Sequence, residues 1–524
     1  MTSNTYSISG GDFQRAGAAA SRLKEQLKRI GVEQETVRRA VIAAYEAEMN
    51  VVIHARKGNM RVMLDAGQID VEVTDAGPGI PDIDQAMQEG FSTAPLEAIE
   101  LGFGAGMGLP NIKKNSDVFD IESTVGKGTR VSFRLCLAPQ NASVDTANSV
   151  RVSAELCREC LHCLRSCPTQ ALRVRNGKPE VLEHLCIDCG ACIRVCGTGA
   201  LNMVGEAEVP RPTDETVLIV PSAFLVQFGA RGDPHDVLAG LAGLGFLDVR
   251  LTEGWEDALR EAVMEYASKG TPSRPVISPV CPAVVNLIEM RFPSLMDNLA
   301  PFLSPVEAMC EEFAGHRVVL LAACPSQSTA IKSNSLAADV RIVLATSLRY
   351  ALLPLVTRAD NGTAKWRDKH CVAAACRDEA ILEVSGIDHV MAVLEKAEDG
   401  ALGDIELMEL FACSQGCFGS PFYSEDPFVA RHRRLDELGL PDTTARAVRR
   451  KAPCSARAGL RLDDDMSKAI EKLSRIDEIA GSLPGRDCGM CGAPTCSAFA
   501  EDVVLGRATE SACVHLNGSE DETT

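Results

Sequence analysis

Eight cysteines between positions 157 and 196 are the residues best suited to chemistry in this chain. Cys157, Cys160, Cys163 and Cys167 form C-x2-C-x2-C-x3-C followed by Pro168, and Cys186, Cys189, Cys192 and Cys196 repeat that spacing with Gly197 in place of the proline. A tight loop so spaced aims three thiolates at one iron–sulfur cubane and sends the fourth to a second cubane. The expected ligand sets are Cys157, Cys160, Cys163 and Cys196 for one [4Fe–4S] cluster, and Cys186, Cys189, Cys192 and Cys167 for the other. Zinc prefers isolated four-ligand sets with longer central spacers. Two cubanes this close read as an electron relay.

Four further cysteines stand in three places: Cys281 in SPVCPAVV, Cys324 in LLAACPSQ, and Cys413 and Cys417 in ELFACSQGCFGSP. Two of them follow apolar runs and so belong at strand ends, where open α/β sheets build their sites. One cubane could use all four, whereas any one alone reads as a small buried hydrophobe. Near the C-terminus DCGMCGAPTC supplies Cys488, Cys491 and Cys496, and Cys513 follows after sixteen residues that read as helical. That set suits one more [4Fe–4S] cluster, with zinc as the chemically open alternative. Cys136, Cys310, Cys371, Cys376 and Cys454 read as structural.

A different chemistry is spelled near the N-terminus. Glu46, Asn50 and His54 share one helix face by their four-residue spacing. Asp75 ends an alternating strand just before Gly77 and Gly79, and LGFGAGMGLP adds Gly102, Gly104, Gly106 and Gly108. Such glycines let backbone N–H groups approach phosphate oxygens, and a helix start adds a favourable dipole. Taken singly, the glycines are a flexible loop and the polar helix face is solvated.

The elements that must position these groups follow from the hydrophobic pattern. Leu23, Leu27, Ile30, Val37, Val41 and Ala44 predict two helices within residues 11–57. RVMLDAGQIDVEVTDAGPGI and VFDIESTVGKGTRVSFRLCL each predict a strand pair. The small polar stretch PQNASVDTANSV reads as a linker. From 214 to 430, apolar strands such as TVLIVP, RPVISPV and RVVLLAAC alternate with helical stretches, which predicts an α/β body with mostly parallel sheet. A charged stretch, ARHRRLDELGLPDTTARAVRRK, leads on to the last cysteine module.

The chain has 524 residues and 21 cysteines, too long for one core, and C-x-x-C runs rather than a small secreted framework argue for a reducing compartment. No apolar run reaches membrane-helix length and the N-terminus lacks a signal-peptide core, so a soluble cytoplasmic protein without membrane partners is expected. Seventy-two acidic against 53 basic residues give a net charge of −19. That surface repels phosphate backbones, and two Trp and five Tyr supply few base-stacking platforms, so no nucleic-acid partner is expected.

Four resemblances follow from these motifs. Residues 150–205 resemble bacterial two-cluster ferredoxins. SPVCP, AACPSQ and ELFACSQGCFG resemble the T-S-C-C-P, M-P-C-x-x-K and E-x-M-x-C-x-x-G-C-x-x-G motifs of [FeFe]-hydrogenases. That resemblance implies that Cys281, Cys324, Cys413 and Cys417 hold the H-cluster cubane, Cys417 bridging to a two-iron subsite with CO and CN⁻ ligands. VPSAF resembles the family's A-P-S-V-R segment and would put Pro221 and Ser222 near the cyanide side. The departures are Val280 for the proton-delivering cysteine, Gln327 for the cyanide-binding lysine, and Ala322 and Phe411 for two methionines. Such losses occur in sensory hydrogenases and in cubane-only relatives, and the sequence leaves both open.

Residues 11–137 resemble the ATP-binding domain of anti-sigma-factor serine kinases and histidine kinases. The resemblance implies that Asn50 binds Mg²⁺, that Glu46 orients or deprotonates the attacking group and that Asp75 reads the adenine amino group. Residues 102–108 would form the phosphate lid, and Thr129 would support the adenine pocket. The C-terminal set resembles small Fe–S domains reading C-G-x-C-G-x-P-x-C.

The expectation is a multidomain α/β protein with four parts. They are an α/β-sandwich ATPase-like domain (1–138), a two-cluster ferredoxin domain (150–205), an α/β hydrogenase-like domain (214–430) and a small helical Fe–S module (466–524). The cofactors are about four [4Fe–4S] clusters and Mg-ATP, with the two-iron subsite left open. One reading is a sensor that reports H2 or redox state by phosphorylating or sequestering a partner protein. The other is a hydrogenase-like electron-transfer subunit working with redox-protein or flavoprotein subunits.

Overall fold

Alternating apolar residues in the first 136 positions build one antiparallel sheet. It comprises β1 (Thr2–Ser9), β2 (Lys57–Leu64), β3 (Gln68–Asp75), β4 (Val118–Thr124) and β5 (Gly128–Cys136), in spatial order β1-β2-β3-β5-β4. Met60, Val62 and Leu64 of β2 and Ile69, Val71 and Val73 of β3 are buried on one face. Two helices, α1 (Ala18–Arg29) and α2 (Gln34–His54), bring Leu23, Leu27, Val37, Ala40 and Ala44 into the same core. The helices and the two strand pairs match the hydrophobic pattern. The edge strand β1 does not announce itself, because TSNTYSIS buries only Ile8 and an edge strand needs little apolar surface.

This sheet belongs to a unit comprising Met1–Ala142, Leu460–Arg486 and Cys496–Thr524, and a second unit comprises Ser143–Gly459 and Asp487–Thr495. The computed structural model describes residues 2–95, 98, 104, 106–138, 148–206, 208–213, 215–229, 233–269, 273–333, 340–356, 381–433 and 445–516. Gly102, Cys371 and Cys376 lie outside the described residues, as do most of the expected linker and part of the charged stretch.

Within the first unit, the helix Met466–Ser482 is capped by Asp465, whose side chain accepts from the Ser467 and Lys468 N–H groups, and it packs on α1. The helix Cys496–Val504 is tied to α1 by the Arg29–Glu501 ion pair at 2.8 Å. The sequence suggests helix over the whole of 497–512. Instead the helix ends at Val504, because Gly506 turns left-handed (φ 71°) and the Arg507 and Ala508 N–H groups fold back onto the Asp502 carbonyl. Only a short 3-10 turn, Glu510–Ala512, precedes Cys513.

The second unit opens with two small antiparallel ribbons. β6 (Val150–Val152) pairs with β9 (Leu201–Met203), and β7 (Leu172–Arg175) pairs with β8 (Lys178–Val181). Each ribbon joins the two halves of the cysteine repeat, so neither half stands alone. The rest holds two parallel sheets rather than one. The strands β10 (Thr216–Val220), β11 (Asp248–Leu251), β13 (Arg317–Ala322) and β14 (Val340–Leu344) run in the order β11-β10-β13-β14. The strands β12 (Val276–Ile277), β15 (Ile381–Ser385) and β16 (Leu407–Phe411) run in the order β12-β16-β15. β10 is buried throughout, as expected of a parallel strand covered on both faces. Among the described residues no helix is long and apolar enough to cross a membrane.

Candidate iron–sulfur and nucleotide sites

The two cysteine runs fold as a duplicate. The short helices His162–Ser166 and Ala191–Val195 follow equivalent loops, and left-handed residues recur at equivalent positions: Glu159 with Asp188, Leu161 with Gly190, and Gln170 with Gly199. These turns point backbone N–H groups at sulfur. Glu159 N–H donates to Cys157 Sγ (3.4 Å) and Asp188 N–H to Cys186 Sγ (3.4 Å). Ala171 N–H donates to Cys167 Sγ (3.2 Å) and Leu201 N–H to Cys196 Sγ (3.4 Å). Donors aimed at sulfur stabilise the thiolate form that iron requires. At Cys196 burial works upward, but the hydrogen bonds from Leu201 and Thr198 outweigh it and the pKa is lowered.

Electrostatic neighbours run across the two halves of the repeat, and Cys192 lies in the field of Cys163 as well as of Cys189 and Cys167. Burial raises the Cys163 thiol to about 11, and its charged neighbours are Cys160, Cys157 and Cys196. Burial raises Cys189 to about 12, with Cys167 the next cause, and Cys186 and Cys192 are raised by burial and by neighbours that include Cys189 and Cys167. Cys167, Cys186, Cys189 and Cys192 line one cavity with Val150, Leu172 and Ile187. Among the described residues no three His, Cys, Asp or Glu side chains converge as a single bound ion would need.

The central four cysteines meet where the two parallel sheets end. Cys324 follows β13, Cys281 caps the helix Pro282–Arg291 just beyond β12, and Cys413 and Cys417 follow β16. Burial raises Cys324 to about 11 and lifts Cys413 and Cys417 well above the usual thiol range. Cys417 lies in the field of Glu256, Cys281, Cys324 and Cys413, so the other three central cysteines stand within electrostatic reach of it. Cys189 of the ferredoxin segment lies within electrostatic reach of both Cys413 and Cys324. Gly190 packs between Pro325 and Pro421: a Cβ there would stand 2.6 Å from Pro421 Cγ.

Around this group the Ser222–Phe224 turn touches the Gly416–Gly419 turn that carries Cys417. Pro221 caps that first turn, and Ser222 Oγ accepts from Glu253 N–H at 2.9 Å. Gln327 is buried, with its Oε1 accepting from Ala323 N–H at 2.8 Å, which leaves its amide NH2 as the donor end. Val280 packs with the apolar cluster around Leu259, Val263 and Phe302. The hydroxyls of Ser278 and Tyr423 are buried and unpartnered among the described residues. Orphaned donors beside four thiols fit an iron–sulfur group, whose sulfurs accept hydrogen bonds.

Several residues in the second unit escaped the sequence reading. Arg457 is buried, donating to Glu289 Oε2 (3.1 Å), Asn286 Oδ1 (2.6 Å) and the Cys186 carbonyl (3.4 Å). Asp188 accepts from Thr329 Oγ1 at 2.6 Å, and its carbonyl accepts from Ser326 N–H at 3.0 Å. The loop of the second ferredoxin set is thus gripped by both helices that begin beside Cys281 and Cys324. Arg260 and Glu409 form a bidentate pair at 2.9 and 2.5 Å. In the C-terminal set, Cys488 and Cys491 lie in the second unit and Cys496 and Cys513 in the first. Of the leftover cysteines Cys310 is buried, Cys454 half-buried and Cys136 exposed.

In the first unit, Glu46 and Asn50 of α2 face the start of the helix α3 (Gly108–Lys114). A Cβ on Gly108 would stand 3.1 Å from Asn50 Oδ1 and 3.5 Å from Glu46 Oε2. Asn111, absent from the sequence argument, donates to Glu46 Oε1 at 2.7 Å, while Asn50 Nδ2 is buried and unpartnered among the described residues. Asp75 accepts from Gly77 N–H at 2.6 Å, Gly79 packs on the Thr124 carbonyl, and Thr129 Oγ1 meets Ser123 Oγ at 2.9 Å. Burial lowers the His54 pKa against the opposing pull of Asp75. Gly104 and Gly106 are left-handed, and Gly106 accepts from Gly90 N–H. A spare amide N–H beside glycines that approach other backbone closely fits a phosphate oxygen.

Four family models match the chain. They are the histidine kinase-like ATPase domain over 12–135, the 4Fe-4S dicluster domain over 149–197, the C-terminal domain of the iron-only hydrogenase large subunit over 214–348, and a putative Fe-S cluster domain over 483–515. The chain is 33% identical over 108 residues to the serine/threonine-protein kinase RsbT of Bacillus subtilis, covering 20% of this chain and 75% of that protein. It is 34% identical over 97 residues to the anti-sigma F factor of Thermoanaerobacter sp., covering 18% and 60%. The chain therefore spans 60% to 75% of the length of these relatives. Among solved structures, a variant of the [FeFe]-hydrogenase HydA1 from Chlamydomonas reinhardtii superposes with a TM-score of 0.32 at 16% identity, covering 44% of this chain and 86% of that one.

Proposed function

The chain belongs, through residues 12–135, to the family of the RsbT kinase and the anti-sigma F factors, and from that membership we propose that it is a redox sensor. It joins a kinase-like ATPase domain to hydrogenase-like iron–sulfur domains. In this reading the state of the iron–sulfur groups sets how the ATPase domain acts on a partner protein, by phosphorylation or by sequestration. The observation that carries it is the neighbourhood of Cys189 and Cys413, which gives electrons a route from the ferredoxin thiols to the central four cysteines.

The residues proposed to hold the groups are the sixteen cysteines in their four sets, with Glu46, Asn50, Asp75 and the glycines of 77–79 and 102–108 for Mg-ATP. An H-cluster, when bound, supplies reversible chemistry between H2, protons and electrons. This chain's own residues around that place are poor proton carriers: Val280 has no titratable group, and Gln327 offers a neutral donor. That environment favours registering a state over rapid turnover.

The test is nucleotide binding at two redox poises. The full anaerobically reconstituted chain is titrated with Mg-ATP, oxidised and then reduced with dithionite, by calorimetry. The affinity is expected to differ between the two states. Equal affinity would favour the second reading, an electron-transfer subunit of a larger complex, which the same Cys189–Cys413 neighbourhood would serve.

A further inference from the structure

Among the described residues, Tyr423 is a hydrogen-bond donor with nothing to donate to. After Cys417 the chain turns back: Ser420 N–H donates to the Cys417 carbonyl (3.1 Å), Tyr423 N–H to the Ser420 carbonyl (3.2 Å), and Ser420 Oγ to the Ala323 carbonyl beside Cys324. This fold sets the Tyr423 ring against Phe224, centroids 6.2 Å apart. The residue keeps some exposure, yet its hydroxyl is sealed off and has no partner among the described residues. The titratable groups that act on it are Cys417, Cys324, Glu256 and Cys413. Glu256 Oε1 accepts from Thr252 Oγ1 at 2.7 Å, and neither Glu256 nor any other described group accepts from the phenol, so the acceptor we look to is on the sulfur side.

We propose that Tyr423 donates a hydrogen bond to a sulfur of the iron–sulfur group held by Cys281, Cys324, Cys413 and Cys417, and so sets its reduction potential. This rests on the reading of those four cysteines as cluster ligands. Burial raises the phenol's pKa, so the hydroxyl keeps the proton it donates. A hydrogen bond to sulfur withdraws electron density and stabilises the reduced cluster. The consequence suits a sensor, because the tyrosine tunes the potential at which the central group changes state.

The test uses the full chain, anaerobically reconstituted, with Tyr423→Phe, which keeps the ring against Phe224. The central cluster's EPR signal is identified as the one lost in Cys281→Ser. Pulsed EPR in H2O and D2O reads exchangeable protons coupled to that signal, and a redox titration reads its midpoint. Tyr423→Phe is expected to remove one coupled exchangeable proton and to move the midpoint to more negative potential. An unchanged proton coupling and midpoint, with the cluster present, would overturn the role of Tyr423 alone. Absence of any such signal from the wild type would overturn the cluster reading, and this inference with it. If Tyr423→Phe loses the cluster, Gln327→Leu and Ser278→Ala decide: a coupled exchangeable proton that survives in both supports the Tyr423 hydrogen bond, and loss of every such proton in either refutes it.

Discussion

Arg457 holds the loop of the second ferredoxin set to the helix that starts at Cys281, and removing its guanidinium gives a sharp test of how the relay is fixed. Its side chain is 5% exposed and that of Glu289 16%, so Arg457→Ala leaves a largely buried carboxylate with no hydrogen-bonded counter-charge and only the field of Arg450 to offset it. Breaking one partner of a buried pair costs about 3–5 kcal/mol. Domains of 150–250 residues shift by about 2–4 °C per kcal/mol, and this unit is larger, so a fall of about 5–10 °C is expected. Burial already raises the Glu289 pKa, with Arg457 pulling it down, and losing Arg457 raises it further. A carboxyl with a raised folded-state pKa binds its proton more tightly in the native state, so stability is lost as pH rises through that folded pKa. The deficit is therefore smaller at pH 5 than at pH 8. The assay is thermal loss of the Fe–S absorbance of wild type, Arg457→Ala, Glu289→Gln and the double variant at both pH values. A shift under about 2 °C, or a deficit equal at both pH values, would refute the reasoning.

Three more outcomes are expected. The four cysteine sets imply about sixteen irons per chain, so iron analysis of reconstituted protein should exceed eight, and Cys160→Ser should remove one relay cluster while leaving the others. The unpartnered Asn50 amide predicts that Asn50→Ala weakens Mg-ATP binding about tenfold or more, roughly the loss of one charge-assisted contact, and calorimetry showing wild-type affinity would count against the nucleotide assignment. Val280→Cys should raise hydrogen turnover toward the roughly 10²- to 10⁴-fold contribution of a general acid if the two-iron subsite is loaded, as checked by CO and CN⁻ infrared bands. No gain in loaded protein would place the deficit at Ala322, Gln327 and Phe411.

What the sequence made legible was local. The cysteine runs could be read because an iron–sulfur loop needs its ligands within a few residues, and the strand pairs because alternation shows within one segment. The nearness of Cys167 to Cys186, Cys189 and Cys192, which line one cavity, agrees with the spacing. Contacts made at long range were hidden. Arg457 reaches Cys186 across 271 positions and Thr329 reaches Asp188 across 141, and nothing near either arginine or threonine marks it. Asn111 sits on a helix start read only for its glycines, yet it holds Glu46. The helix after Cys496 was overread because VVLGRATESA looks permissive, whereas Gly506 in a left-handed turn stops it.

In the proposed sensor, the two kinds of path into the central site would be built differently. The electron side is tight: Gly190 lies between Pro325 and Pro421, Asp188 is bonded to Thr329, and Arg457 clamps the Cys186 carbonyl. Loose packing there would vary the separation of Cys189 from Cys413, and buried, fully bonded polar groups resist such variation. At the position that would carry protons, Val280 instead joins an apolar cluster with Leu259, Val263 and Phe302. An apolar side chain there neither binds a proton nor supports a water chain, since buried water needs polar partners. With clusters bound as proposed, electrons would reach the site by a fixed route, while residue 280 offers no proton carrier. In the proposed sensor, a site so arranged would change state with the redox poise around it and hold that state long enough for an attached ATPase domain to respond.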